Sequence, residues 1–476
     1  MTVQPITLAA PASPAARLRS RHHRISRWDP EDLDSWQNGG HKIARRNLIW
    51  SIFAEHIGFS VWSIWSVMVL FMPQNVYHID AAGKFYLVAV PTLVGAVLRL
   101  PYTTAVARFG GRNWTIASAL LLLVPLVLTW WFMVNPGASY TTCLIVAAFA
   151  GCGGGNFASS MTNINAFFPV RLKGWALGLN AGGGNIGVPV IQLVGLLVIG
   201  TMGNRSPQIV CATYLALVGF AAFGAAIFMD NLADQKSDAA AMLRVLRFPD
   251  AWLISFLYIG TFGSFIGYSF AFGQVLQINY LAAPGTTAAA AALRASQIAF
   301  LGPLLGSLSR PLGGLLADRL GGAKITMWCF AAMVAAAGVL VVAGTRNDAN
   351  HGKITPAIMV SYVVGFVVLF VISGVGNGSV YKMIPAVFAA KSLALHDQSP
   401  VAVLGWERTM SGALIGIAGA IGALGGVGIN VVLRTSYAGA AKSATTAFWI
   451  FLAFYVVCVA VTWMAYVRRR DTTSLV

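Results

Sequence analysis

Two arginines lie inside strongly apolar stretches at matching places in the two halves of the chain, Arg99 and Arg310. Nine residues after each comes another arginine, Arg108 or Arg319, which begins an Arg-x-Gly-Gly turn. An arginine in the middle of a membrane helix costs about 2.5–3.5 kcal/mol on insertion scales, so such residues usually serve a function. A planar guanidinium meets two oxygens of one anion at once, which the point charge of lysine cannot do. The matched pair therefore predicts a site for a small anion.

The composition of the chain indicates which structural elements position these arginines. The chain has 476 residues, of which 57% are hydrophobic and 10% are charged, and its mean hydropathy is +0.72. A soluble domain carries about 25% charged residues, so a large soluble helical enzyme is excluded. Apolar runs of about 20 residues are long enough to cross the hydrocarbon of a bilayer. The sequence predicts an all-α membrane protein of twelve spans, at 47–72, 84–107, 114–134, 141–163, 174–198, 208–229, 251–276, 294–317, 324–344, 356–381, 405–433 and 446–467.

The distribution of positive charge predicts the topology. The formal net charge is +17, and of the 32 Lys and Arg residues 23 fall on the side of the termini and seven on the other side, leaving only Arg99 and Arg310. This bias predicts cytoplasmic termini in the cytoplasmic membrane. We expect a cytoplasmic arm at 1–46 without a signal peptide, six-helix halves at 47–229 and 251–467, a central cytoplasmic loop at 230–250 and a tail at 468–476. The charge does not form a nucleic-acid-binding module.

The two halves repeat in parallel. Arg99 lies on span 2 and Arg310 on span 8, six spans later, and the turn that follows is Arg-Phe-Gly-Gly in one and Arg-Leu-Gly-Gly in the other. Two such halves are the arrangement of major facilitator transporters, which place their substrate site between the halves near the middle of the membrane. The turns themselves are either loops that lock one conformation, with Asp318 pairing a basic partner, or ordinary basic loops.

Span 1 carries Glu55, the only acidic residue clearly within a span, followed by His56. One interpretation is a proton-coupling site. The other is a carboxylate near the cytoplasmic interface, paired with Arg45 or Arg46 or wetted by a cavity. The five cysteines lie in apolar segments at unrelated spacings, which predicts neither disulfides nor a metal site.

Spans 5 and 11 contain dense glycine runs, GWALGLNAGGGNI at 174–186 and GIAGAIGALGGV at 416–427. A dinucleotide fingerprint needs a βαβ context that this chain lacks. The glycines either pack helices closely or allow helix sliding and close approach of the backbone to a small substrate. Asn185 lies in the first run, where an amide needs a partner. The glycines concerned are Gly174, Gly178, Gly182, Gly183, Gly184, Gly416, Gly419, Gly422, Gly425 and Gly426.

These segments resemble the NarK-type nitrate/nitrite transporters of the major facilitator superfamily over all twelve spans. The most specific matches are LRLPYTTAVARFGGRNWT, GGNFASSMTNINAFFP, GLNAGGGNIGV, YIGTFGSFIG, SRPLGGLLADRLGG and GAIGALGG. The resemblance implies that Arg99 and Arg310 clamp the anion and that Phe157 and Phe262 sandwich it. It also implies that Tyr258 forms a hydrogen bond near the substrate and that Asn185 corresponds to the asparagine on span 5 of the family. The sequence departs from the family at Ala181, at Val427 and in a longer stretch, 281–297, between spans 7 and 8.

The resemblance implies a monomeric secondary transporter of nitrate and nitrite, without a cofactor, that works by alternating access. Exchange and proton symport both remain open. With no acidic residue on spans 2 or 8, an empty site holds two positive charges that resist closure, which favours exchange. Alternatives are a major facilitator carrier for another small anion, such as an organic anion or phosphate, a passive anion channel, and a transporter-like nitrate receptor. The chain shows no nucleophile–base pair or metal-ligand set that would indicate an enzyme.

Overall fold

The computed structural model describes residues 23–233, 239–392 and 399–468, which are almost entirely helical. Within these ranges, 11 helices are long and apolar enough to cross a membrane, and a bent pair of helices makes a twelfth span. Span 1 is the bent pair, Leu33–Trp62 and Ile64–Phe71, with an angle of 45° between its parts. Spans 2 to 12 are Ala81–Phe109, Gly111–Val134, Tyr140–Phe167, Arg171–Met202, Gln208–Phe228, Pro249–Leu281, Ala288–Leu320, Gly322–Ala349, Pro356–Ser392, Ala402–Ala438 and Thr445–Val467.

The spans pack as two sets of six. In the first set span 4 packs against spans 1 and 2, and in the second set span 10 packs against spans 7 and 8. The sets meet where span 2 runs along span 11, span 5 along span 8 and span 1 against span 7. Equivalent helices therefore occupy equivalent places in the two halves, as a parallel repeat requires. We call the side of the membrane on which span 1 begins, span 6 ends and span 7 begins the terminal side.

Span 7 is interrupted by a π-helical turn, Ile259–Gly263, close to the middle of the span. Such turns are rare overall, but those that occur are frequently found at functional sites. The turn packs closely against span 11, since a Cβ atom on Gly263 would lie 2.6 Å from the Cα atom of Gly425. Only glycine at both positions lets the two backbones approach this closely.

A short parallel strand pair joins the N-terminal segment to the link after span 6. Arg24 and Ile25 pair with Asn231 and Leu232. Next to this pair the buried carboxylate of Asp230 accepts hydrogen bonds from Arg46 at 2.6 Å and from the Asn47 amide at 3.0 Å.

The stretch 281–297 is mostly helix, because span 8 begins before its predicted start at 294. Span 7 ends at Leu281, and span 8 begins at Ala288 behind the N-cap Thr287, whose side chain accepts from the Ala290 backbone N–H. Alanine has the highest helix propensity of the amino acids. The alanine run at the start of span 8 therefore extends the helix beyond the predicted apolar segment instead of forming a loop.

Candidate functional site

Arg99 lies in the interior between the two halves, 1% exposed. Its Nη1 donates to the Gly419 carbonyl oxygen on span 11 at 2.6 Å, and its Nε donates to the Gly154 carbonyl oxygen on span 4 at 3.2 Å. Its Nη2 is buried and has no hydrogen-bond partner in the part of the chain that the structure describes. One N–H group of this guanidinium therefore remains free for a ligand.

Two phenylalanine rings flank the Arg99 guanidinium. Its central carbon lies 4.8 Å from the ring centroid of Phe157 and 5.0 Å from that of Phe262, and the two rings are 6.4 Å apart at an interplanar angle of 28°. A flat molecule between two rings needs a separation of about 7 Å, since each van der Waals contact takes about 3.5 Å. The spacing is slightly below the separation that a planar ligand needs.

Arg310 approaches from the other half and is 7% exposed. Its Nη2 donates to the Tyr258 hydroxyl at 3.3 Å, while its Nη1 is buried without a partner among the described residues. The Tyr258 ring stacks on Phe262 at 5.0 Å and an interplanar angle of 6°. The structure therefore brings both arginines, both phenylalanines and Tyr258 into one cluster of contacts.

Tyr381 on span 10 also belongs to this cluster, although the sequence did not single it out. Its ring lies 4.9 Å from the ring of Tyr258 and 5.0 Å from the guanidinium carbon of Arg310. The signal that could have found it is a phenol inside an apolar span, in the segment GNGSVYKM, because a buried tyrosine hydroxyl usually needs a partner.

Asn185 is not among these contacts. It is 1% exposed, and neither polar atom of its amide has a hydrogen-bond partner among the residues described. The asparagine of span 5 that does form side-chain hydrogen bonds is Asn180, whose Nδ2 donates to Glu55 at 2.6 Å.

Glu55 is 1% exposed, in the interior of the first half. Its Oε2 accepts from the Ser160 hydroxyl at 2.5 Å as well as from Asn180, and the carboxylate lies near enough to Arg310 and Arg99 for their charges to act on it. The alternative of an interfacial carboxylate paired with Arg46 is wrong, since Arg46 bonds to Asp230. His56 lies beside it, with Nδ1 3.1 Å from the Gly183 carbonyl oxygen.

Glu55 lies several turns from the start of its helix. The helix begins at His41, six residues before the predicted span. Fourteen residues at a rise of about 1.5 Å place Glu55 roughly 21 Å from that start along the helix axis.

Some glycines of the two runs fit the close-packing interpretation, and others do not. A Cβ atom on Gly183 would collide with Ile52 and one on Gly184 with Glu55, and in span 11 the glycines 422 and 425 would meet Tyr258 and Gly263. Close packing explains these positions. By contrast, Gly174, Gly178 and Gly182 have nothing within 4 Å of an added Cβ, so packing does not explain them. An added Cβ atom on Gly426 would lie 3.1 Å from Ile266 and from Thr92, and one on Gly416 would lie 3.5 Å from Met242.

A cavity of about 290 Å³ leads from Arg99 toward the terminal side. Its lining includes Thr103, Asn165 and, near the mouth, Arg408. None of its lining residues is acidic. The cavity therefore offers an anion a route between the arginine cluster and the terminal side.

The opposite side of the cluster is closed by contacts between the halves. Trp62 meets Phe270 edge to face at 5.3 Å, and Phe85 stacks on Tyr437 at 5.4 Å. The Gln192 amide also donates to the Ser269 carbonyl oxygen at 2.8 Å. The conformation is therefore one in which the cluster is reached from the terminal side.

The turn after span 8 contains the acidic residue that the turn after span 2 lacks. Asp318 forms an ion pair with Lys382 on span 10 at 2.7 Å, with both side chains about half exposed. In the first half Ala107 precedes the arginine instead, and Arg112 donates to the Ala226 carbonyl oxygen at 2.6 Å. These contacts join neighbouring helix ends within each half and lie apart from the arginine cluster.

A family model described as Major Facilitator Superfamily matches residues 51–426. The chain belongs to this superfamily. Within it, the chain is 34% identical over 464 residues to the nitrate/nitrite transporter NarU of Salmonella typhimurium, covering 94% of this chain and 96% of the relative. It is 32% identical to NarU of Escherichia coli, covering 95% and 98%, and 32% identical to the probable nitrate/nitrite antiporter NarK2 of Thermus thermophilus, covering 81% and 86%. These similarities place the chain in the NarK-type group, as the resemblance implied.

Solved structures of the superfamily share the fold. The D-xylose-proton symporter superposes with a TM-score of 0.64 at 13% identity, covering 90% of this chain and 98% of that chain. A bacterial homologue of the lysosomal transporter Spinster gives 0.61 at 14% identity, covering 89% and 97%. The twelve-span expectation is confirmed, and the protein is a membrane transporter rather than an enzyme.

Proposed function

We propose that this protein carries nitrate and nitrite across the cytoplasmic membrane by alternating access, with the anion held between Arg99 and Arg310. The observation that carries the proposal is one unpaired guanidinium nitrogen on each arginine, Nη2 of Arg99 and Nη1 of Arg310, buried at the meeting of the two halves. Buried donors without a partner are costly, so a bound anion stabilises them. The relatives named for nitrate and nitrite transport indicate which anion.

The rings of Phe157 and Phe262 supply selectivity by shape. Their centroids are 6.4 Å apart, slightly less than a flat ion needs, so a small separation of the two rings makes room for one. Nitrate and nitrite are planar, whereas phosphate and sulfate are tetrahedral and too thick for the gap. This argues against phosphate as the cargo.

The positive-charge bias places the terminal side in the cytoplasm. The cavity below Arg99 then opens to the cytoplasm, and the contact of Trp62 with Phe270 closes the outer side. In this conformation the anion enters or leaves from the cytoplasm. Opening the outer side requires the halves to part at spans 1 and 7.

Two coupling modes follow from the charges at the site. In exchange, the repulsion between Arg99 and Arg310 resists closure until one anion bridges them. In proton symport, the buried Glu55 carboxylate takes up a proton. Its position near both arginines supports this second mode, because a proton on Glu55 removes a negative charge that would compete with the anion.

Counterflow in proteoliposomes tests the proposal. Vesicles loaded with nitrite are expected to take up nitrate, and vesicles loaded with neither anion are expected to do so only if an inward proton gradient drives symport. Single-channel conductance would instead indicate a channel, and binding without flux a receptor. Failure to move either anion under any of these conditions would refute the function.

A further inference from the structure

The hydroxyl group of Tyr381 is buried beside the arginine cluster, next to the Tyr258 hydroxyl, but it makes no hydrogen bond of normal geometry with a described residue. An added Cβ on Gly419 would lie 3.6 Å from this hydroxyl oxygen and 3.4 Å from Nη1 of Arg99. The hydroxyl of Tyr381 and the guanidinium of Arg99 therefore border the same small volume in front of the Gly419 backbone.

The ring of Tyr381 has its own support. It lies 4.9 Å from the Tyr258 ring and beneath the guanidinium of Arg310, whose central carbon is 5.0 Å from the ring centroid. These contacts hold the ring without using the hydroxyl. Packing accounts for an aromatic ring here, and phenylalanine would satisfy it. The hydroxyl group needs another explanation.

Three buried polar atoms of the arginine cluster make no hydrogen bond of normal geometry within the described chain: Nη2 of Arg99, Nη1 of Arg310 and the hydroxyl of Tyr381. They come from spans 2, 8 and 10. Buried polar groups in native proteins are nearly always hydrogen-bonded, so unpaired groups that cluster indicate a ligand with matching acceptors. An anion with three oxygens has one acceptor for each of them.

We propose that Tyr381 is a specificity-determining residue that favours nitrate over nitrite by donating its hydroxyl hydrogen to the third oxygen of nitrate. This inference rests on the proposed function. Nitrite has two oxygens, which the two arginines use, and the Tyr381 hydroxyl is then left buried without an acceptor. A site that hydrogen-bonds one ligand group discriminates strongly against an analogue that lacks the group.

The variant Tyr381→Phe keeps the ring and removes only the hydroxyl. In proteoliposome counterflow, its half-saturating concentration for nitrate is expected to rise about tenfold, as for the loss of one hydrogen bond to a charged group. The value for nitrite is expected to change by less than about twofold, because nitrite does not use this donor. The matched control is Tyr362→Phe. Tyr362 is a buried tyrosine of the same span, and it lines a separate cavity at the end of the second half that faces away from the terminal side.

Anion-induced thermal stabilisation of the purified protein provides a second readout that does not depend on flux. Nitrate is expected to stabilise Tyr381→Phe less than the wild type, with the nitrite effect retained. Equal weakening for both anions, or an unchanged ratio in both measurements, overturns the inference. If the wild-type protein moves and binds neither anion, the proposed function itself fails, and that result is distinguishable from the others.

Discussion

The guanidinium of Arg99 on span 2 donates a hydrogen bond to the carbonyl oxygen of Gly419 on span 11 at 2.6 Å, which links the two halves of the transporter through the anion site. A second N–H group donates to Gly154 within the first half. The side chain is therefore held in place from both halves before any anion arrives. An anion that enters takes the remaining nitrogen and does not have to order the side chain.

Replacing either arginine by lysine tests whether the planar guanidinium matters. Arg99→Lys and Arg310→Lys keep the charge but lose the paired donors, and each is expected to lower transport by about 10- to 100-fold, the range for lost hydrogen bonds to a charged group. Initial rates of nitrate uptake, normalised to the amount of inserted protein, measure the effect. The control is Arg346→Lys, near the end of span 9 that faces away from the terminal side. Wild-type rates in either site variant would contradict the clamp.

Gly419 is expected to be needed for space. A methyl group there would lie 3.4 Å from Nη1 of Arg99 and 3.9 Å from the Phe157 ring, which is ordinary contact, so the helix should fold. The methyl group would nevertheless occupy volume between the Arg99 guanidinium and the Tyr381 hydroxyl oxygen, which would lie 3.6 Å from it. Gly419→Ala should weaken nitrate binding several-fold at unchanged thermal stability. Gly428→Ala on the same span, where nothing lies within 4 Å, is the control, and equal affinities in the two variants would argue against this role.

The spans could be predicted from the sequence because a bilayer imposes a run of about 20 apolar residues on every helix. Their ends could not. Span 10 was predicted at 356–381, but the helix is Pro356–Ser392, since helices continue into the polar zone where hydropathy gives no signal.

The residues around the anion site could be predicted only in part. The charge of Arg99 and Arg310 in apolar spans is unmistakable, whereas Tyr381 is one of many aromatic residues that pack in helices. Asn180 and Asn185 differ by five residues, and at about 100° per residue they face directions about 140° apart. Which of the two asparagines reaches Glu55 depends on the rotation of span 5 about its axis, and this rotation could not be predicted from the sequence.

The Asp230 carboxylate is expected to stabilise the fold on the terminal side. It is 3% exposed and accepts from both Arg46 and Asn47. Asp230→Asn should lower the free energy of unfolding by about 1–3 kcal/mol, since hydrogen bonds to a buried charge are lost. In detergent, this should appear as a lower thermal midpoint at unchanged anion affinity.

The exposed pair of Asp318 and Lys382 provides a contrast. Asp318→Asn should cost at most about 1 kcal/mol, because exposed ion pairs contribute little. A larger loss of stability for Asp318→Asn than for Asp230→Asn would contradict the assignment.

Glu55→Gln separates the two coupling modes. Glutamine has nearly the same shape and can still accept from Ser160 and Asn180, so the helix packing should survive, but it cannot bind and release a proton. Accumulation of nitrate driven by an inward pH gradient should fall to the level seen without a gradient, whereas nitrate/nitrite counterflow should continue. The control is Glu407→Gln on span 11, whose carboxylate accepts from Ser392 outside the anion site. Unchanged gradient-driven accumulation in Glu55→Gln would exclude this carboxylate as the coupling group, and loss of counterflow together with accumulation would assign it to packing instead.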